Sequence, residues 1–197
     1  MAVNRTGSLH FPRKLAIHLG LTAALCASLL PGAFASQNRA AQHAVFPRLT
    51  AYNLAKDKLS LPGDFAGQVD LLIMSFRPEQ QNQIDTWMPA AEALQHIHSG
   101  FRWYQLPVSE SENFIFRWWN NSSMRSDDID PATWPWIVPL YVDKNSFRHH
   151  LQIASERQVT VLLVNPMGQV LWRSDGPMTP EKRDSLNRIV TAALDQK

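Results

Sequence analysis

The sequence predicts one α/β domain built around a central strand that is covered on both faces. Two observations carry this. The run Val69-Asp70-Leu71-Leu72-Ile73-Met74-Ser75-Phe76 is apolar almost throughout, without the polar alternation of a half-exposed strand. After the break at Arg77-Pro78-Glu79, the residues Ile84, Trp87, Met88, Ala91 and Leu94 recur at helical spacing. Strand, short loop and helix start, in that order, form the junction where α/β folds usually place their chemistry.

The elements follow in order. Leu49 to Tyr52 and Lys58 to Leu61 are short strands separated by Ala55-Lys56-Asp57, and Leu61 to Gly67 is a turn leading into the central strand. The helix after Gln80 is expected to reach about His98, kinked at the interior Pro89 and closed by Gly100 as C′ residue. Phe101 to Pro107 reads as the next strand, parallel to the first. Ser109-Glu110-Ser111-Glu112 offers a capping box for a helix through Phe114, Ile115, Trp118 and Trp119. Asn120 to Trp136 is an irregular, aromatic insertion. Ile137 to Val142 is a short edge strand, because Pro139 cannot donate to a central ladder. Asp143 caps a helix carrying Phe147, Leu151 and Ile153. Val159 to Val164 and Gln169 to Arg173 are strands joined by the turn Asn165-Pro166-Met167-Gly168. Thr179 and Pro180 start a last helix with the apolar stripe Leu186, Ile189, Val190, Ala193 and Leu194.

The first residues read as a targeting segment. Arg5, Arg13 and Lys14 precede an apolar core from Leu15 to Leu30, and Ala33-Phe34-Ala35 supplies a small-x-small cleavage site. A secretory signal peptide over 1–35, cut after Ala35, is expected, with a mitochondrial presequence as the alternative. Residues 36–48 are then a loosely held arm and 49–197 the domain. Beyond residue 35 there remain 16 Lys+Arg against 17 Asp+Glu, a formal charge of −1, so no basic field argues for nucleic acid. Cys26 is the only cysteine and lies in the leader. Dithiol exchange and peroxidatic chemistry both need a thiolate, which excludes them for residues 36–197 acting alone.

Several of these residues carry a resemblance. The junction resembles the thioredoxin-like pattern F-W-A-x-W-C-x-x-C-x-x-E-M-P, with Phe76 on its Phe and Met88-Pro89 on its Met-Pro. The two cysteine positions then fall on Gln81 and Ile84. The lead-in Leu61-Pro62 to Phe65 and Gly67 is similar to that of redoxin domains. The late hairpin resembles P-T-x-x-L-I-D-x-x-G-x-I-x-x-R-x-x-G, matching Gly168 and Gly176, with Arg173 close to the basic position and Val159 in the place of the cis-proline. The order β-α-β, α, β-β-α is that of the thioredoxin-like fold. In outline the chain is most similar to the thioredoxin-fold mitochondrial ATP-synthase assembly factors. The similarity lies in Gly67-Gln68-Val69 to Phe76, Glu79-Gln80-Gln81, Trp87-Met88-Pro89, and Leu171-Trp172-Arg173-Ser174-Asp175-Gly176-Pro177. That resemblance implies a redox-inactive binding protein, although Leu171 stands where that family has arginine.

The candidate recognition surface is therefore polar: Arg77, Glu79, Gln80 and Gln81 on the former dithiol loop, extended by Trp172 and Arg173. No catalytic residue is assigned. His96 and His98 diverge on their helix, as do the adjacent His149 and His150, so neither pair reads as a metal site, and no cofactor is expected. Asp127-Asp128-Ile129-Asp130 lacks the glycine and terminal glutamate of a calcium loop. Seven tryptophans, all beyond residue 35, serve core packing or, where exposed, a protein or membrane contact. The expected function is binding of a protein partner in the cell envelope, as an assembly factor or chaperone. The alternative is a redoxin-like enzyme acting with a partner's thiols.

Overall fold

The computed structural model describes residues 44–110 and 130–195. Its organising element is β3 (Val69–Ser75), buried at all seven positions. This strand is the middle of a five-stranded sheet of order β5-β4-β3-β6-β7, with β4 at Phe101–Ser109, β5 at Leu140–Tyr141, β6 at Thr160–Val164 and β7 at Val170–Asp175. β4 runs parallel to β3, pairing Asp70 with Arg102 and Met74 with Leu106, and β5 runs parallel to β4. β6 is antiparallel to both β3 and β7.

Because side chains alternate along a strand, each strand feeds two cores. Leu72, Met74, Tyr104, Leu106, Leu162 and Val164 pack with Phe46, Phe65 and Phe147 on one face. That face is covered by a separate antiparallel hairpin of β1 (Leu49–Tyr52) and β2 (Lys58–Leu61), and by α3 (Lys144–His150). Leu71, Ile73, Phe101, Trp103, Val161 and Leu163 face the other way. There they meet α1 (Gln81–Asp85), α2 (Met88–Ile97) and α4 (Pro180–Asp195) through Ile84, Trp87, Ala91, Leu94, Leu186 and Val190. A β-bulge between Leu163 and Val164 skips one residue of β7, so Val170 and Trp172 enter opposite cores.

Several sequence expectations are corrected. The single kinked helix over 80–98 is a 3-10 turn (Pro78–Gln80), then α1, then α2, with Thr86 and Trp87 between the two helices. Pro89 therefore sits in the first turn of α2, where its missing N–H removes no helical bond. Gly100 is not a C′ residue, since α2 ends at Ile97 and His98 is extended. A Cβ at Gly100 would stand 2.9 Å from Leu194 Cδ2 and 3.1 Å from Gln68 Cδ, so close packing is what glycine permits there. Ser109 is the buried last residue of β4, and the rest of its expected capping box, beyond Glu110, lies outside the described residues. The helix expected through Phe114 to Trp119 and the insertion up to residue 129 lie outside the described residues, as do the expected signal peptide over 1–35 and residues 36–43. The edge strand narrows from 137–142 to Leu140–Tyr141, with Ile137 making a lone bridge to Gln105. Residues 44–48, assigned to a loose arm, are instead held. Ala44 and Phe46 are buried, and the Phe46 N–H donates to the Gly168 carbonyl at 2.7 Å.

Capping follows the sequence more closely. The Asp143 Oδ1 accepts the Ser146 N–H at 2.7 Å and starts α3, which stops at His150, leaving the buried Ile153 beyond it. Gly168 closes the β6–β7 hairpin with φ +78. Among the described residues, no helix is long and apolar enough to cross a membrane.

Candidate functional site

At the carboxyl end of β3 the chain must turn out of a sheet buried on both faces, leaving backbone N–H groups to satisfy. Gln80 does this. The residue is 2 % exposed; its Oε1 accepts the N–H of Phe76 at 2.7 Å and of Arg77 at 3.2 Å, while its Nε2 donates to the Glu156 carbonyl at 2.9 Å. One glutamine thus folds the loop back on β3 and fastens it to the segment before β6. Gln83 repeats the device, its Oε1 accepting the Val159 N–H at 3.0 Å. The loop after β3 and Val159, the residue before β6, are therefore joined by an amide.

The sequence-predicted residues divide. Arg77 and Glu79 are exposed on the turn. Gln80 is committed inside. Gln81 is half-buried and its Nε2 donates to Asp85 Oδ1 at 2.8 Å. Ile84 is fully buried under the sheet. Trp172 is also buried, with its Nε1 donating to Ser185 Oγ at 3.0 Å. Arg173 projects to the other side, donating to the Leu151 carbonyl at 2.9 Å, and its Nε lies 3.8 Å from Asp175 Oδ2. The structure brings Arg77, Glu79, Gln80 and Gln81 together on one loop and leaves Trp172 and Arg173 outside that group.

Sequence reasoning missed the second half of the site. Glu156 meets Lys144 and Arg148, each at 3.1 Å. Burial opposes its ionisation, but these two cations outweigh burial and hold the carboxyl below its ordinary range. Beside it, Arg157 is exposed. Only the glutamine-rich composition of 80–83 hinted that side-chain amides would tie this region.

On the helical side of the same end, the Trp87 indole N–H donates to the Gly176 carbonyl at 3.0 Å, and its ring lies edge-on to Trp172 with centroids 6.1 Å apart. Lys182 Nζ sits 5.9 Å over the Trp87 ring and donates to the carbonyls of Asp175 and Pro177. Burial draws its pKa down, opposed by Asp175. Thr160 Oγ1 donates to Asp175 Oδ1 at 2.7 Å. These contacts fix the loop after β7.

At the opposite end of β3 lies Asp70, which the sequence reading passed over as one position of an apolar strand. Its carboxyl is fully buried; Oδ1 accepts the Gly67 N–H at 2.9 Å and Oδ2 has no partner. Burial, partly offset by Gly67 and by Arg102, raises its pKa from the ordinary 3.8 to about 7. The Tyr104 hydroxyl beside it accepts the Ala66 N–H at 2.9 Å, and burial pushes that phenol up as well.

No protein-family model matches the chain, and no curated protein sequence matches it. Solved structures do. A thiol:disulfide interchange protein from Bacteroides sp. is 16% identical, with 78% of this chain and 93% of that one covered at a TM-score of 0.52. The exposed lipoprotein thioredoxin of Streptococcus pneumoniae is 10% identical, covering 74% and 99% at 0.52. BsSco, a member of the Sco family of cytochrome c oxidase assembly proteins, is 15% identical, covering 78% and 96% at 0.50. At these identities the likeness is one of architecture, and with the mixed sheet flanked by helices it establishes that this chain has a thioredoxin-like fold.

Proposed function

We propose that this chain is a redox-inactive thioredoxin-fold protein of the cell envelope that works by binding a protein partner at the carboxyl end of β3. One observation carries the reading. The loop that follows the central strand keeps the strand–turn–helix frame, but Gln81 and Ile84 stand in the dithiol positions, and Gln80 and Gln83 tie the loop shut by side-chain amides. Residues 36–197 hold no cysteine, so the exposed groups left there are charges, Arg77 and Glu79, suited to recognition rather than to thiol exchange. A role as an assembly factor or chaperone suits such a module. BsSco shows that the fold serves a family of assembly proteins. The leader over 1–35 supports delivery to the periplasm or the exterior.

Two measurements test this. The chain should fail to catalyse reduction of insulin by dithiothreitol; catalysis there would restore the redoxin-like enzyme. In a pull-down from the envelope fraction, a specific partner should be retained by the wild type and lost by an Arg77→Ala/Glu79→Ala variant. A partner held equally by the variant moves recognition off this loop, and no partner at all removes the binding reading.

A further inference from the structure

We infer that the partner presents an acidic segment, and that Arg77 and Arg157 are the pair that receives it. The inference rests on the reading that this end of the sheet binds a protein, and names the chemistry of that protein's contact. The two arginines are distant in sequence, but one side chain brings their loops together. The Gln80 amide accepts from the Arg77 N–H with its oxygen and donates to the Glu156 carbonyl with its nitrogen, and Arg157 is the next residue along. The two backbones are therefore separated by little more than one amide group, well within the reach of two arginine side chains.

Both arginines are exposed, and among the described residues neither pairs with a carboxylate. Their neighbours do not neutralise them. Glu156 is shared between Lys144 and Arg148. Asp143 is engaged with the Ser146 N–H as the cap of α3. Glu79 is the remaining exposed acid on the loop, and no ion pair among the described residues joins it to either arginine. Guanidinium groups match carboxylates bidentately, and the two backbones that carry them are already fastened to each other. The exposed cations here are few and share their loop with the exposed acid Glu79, unlike the continuous basic track that holds a phosphate backbone. An acidic peptide segment fits better than nucleic acid.

The test uses the full chain and a fluorescein-labelled oligoglutamate peptide, with oligolysine and oligothymidine as comparison probes, read by fluorescence anisotropy over a salt series. Oligoglutamate should bind, and its affinity should fall about fivefold in Arg77→Ala or in Arg157→Ala and about twenty-fold in the double variant. Arg183→Ala on α4, which removes the same charge elsewhere, should change nothing. Oligoglutamate binding that is unaffected in the double variant overturns the inference. So does tighter, arginine-dependent binding of oligothymidine. The envelope pull-down separates the two levels. A protein retained by the wild type and equally by Arg77→Ala/Arg157→Ala defeats the acidic contact while partner binding stands. No retained protein defeats partner binding, whatever oligoglutamate does.

Discussion

Asp70 keeps a proton that the unfolded chain would release, because its second oxygen lies buried without a donor. The sign of the pH dependence follows. The stability gained by holding this carboxyl neutral is complete below 3.8 and is lost as the pH rises through about 7. At about 1.4 kcal/mol per pH unit the whole effect is on the order of 4 kcal/mol. Asp70→Asn keeps an acceptor for the Gly67 N–H and cannot ionise. It should raise the urea midpoint at pH 8 and flatten the decline between pH 4 and pH 8; an unchanged slope would assign that decline to other groups. Gln80 makes the opposite case. Gln80→Ala strands the buried N–H of Phe76, costing about 1–3 kcal/mol, and should release the 76–80 turn to rapid proteolysis before the rest unfolds. Neither role was legible from sequence. A carboxylate in an apolar run, or a glutamine in a polar loop, acquires its meaning only from the backbone groups that the fold brings against it.

The helices show a different limit. The apolar spacing from Ile84 to Leu94 is continuous, yet the backbone breaks at Thr86 and Trp87. The two readings agree on which residues are buried, because α1 and α2 keep the same core face across the break. Periodicity reports the face and is blind to the hydrogen bonds. Thr86 Oγ1 donates to the Gln83 carbonyl at 2.6 Å and accepts the Met178 N–H at 2.8 Å, a contact across the fold that no local pattern contains. Pro89→Ala should accordingly change stability by less than about 1 kcal/mol, where relief of a true mid-helix proline would give about 3 kcal/mol. Trp87→Ala removes a fully buried indole and its bond to Gly176, and should cost about 3–5 kcal/mol in denaturant titration.

At the level of the whole molecule, the central strand, its parallel partner and the closing hairpin with its helix were all legible, because each has the composition of its environment. The covering of one face was not, since β1 and β2 form a hairpin of their own that lies outside the main sheet. Hydrogen exchange should show this division. Amides of β3, flanked by β4 and β6, should be the last to exchange, and those of β1 and β2, which have one partner strand each, should exchange before those of β3, β4 and β6. Equal protection of both sheets would mean they open as one unit.

The bulge in β7 has a consequence for how this protein can change. Val170 and Trp172 stand two positions apart yet belong to different cores, so the hairpin is a single strand answerable to two independent packing problems. Deleting Leu171 would make Val170 and Trp172 adjacent, and ordinary alternation would still send them to opposite layers, at the cost of the apolar contact that Leu171 makes with the helical core. Mutations of Val170 and Trp172 meet separate neighbours. Either layer is free to be rebuilt around its own residue without the other having to follow.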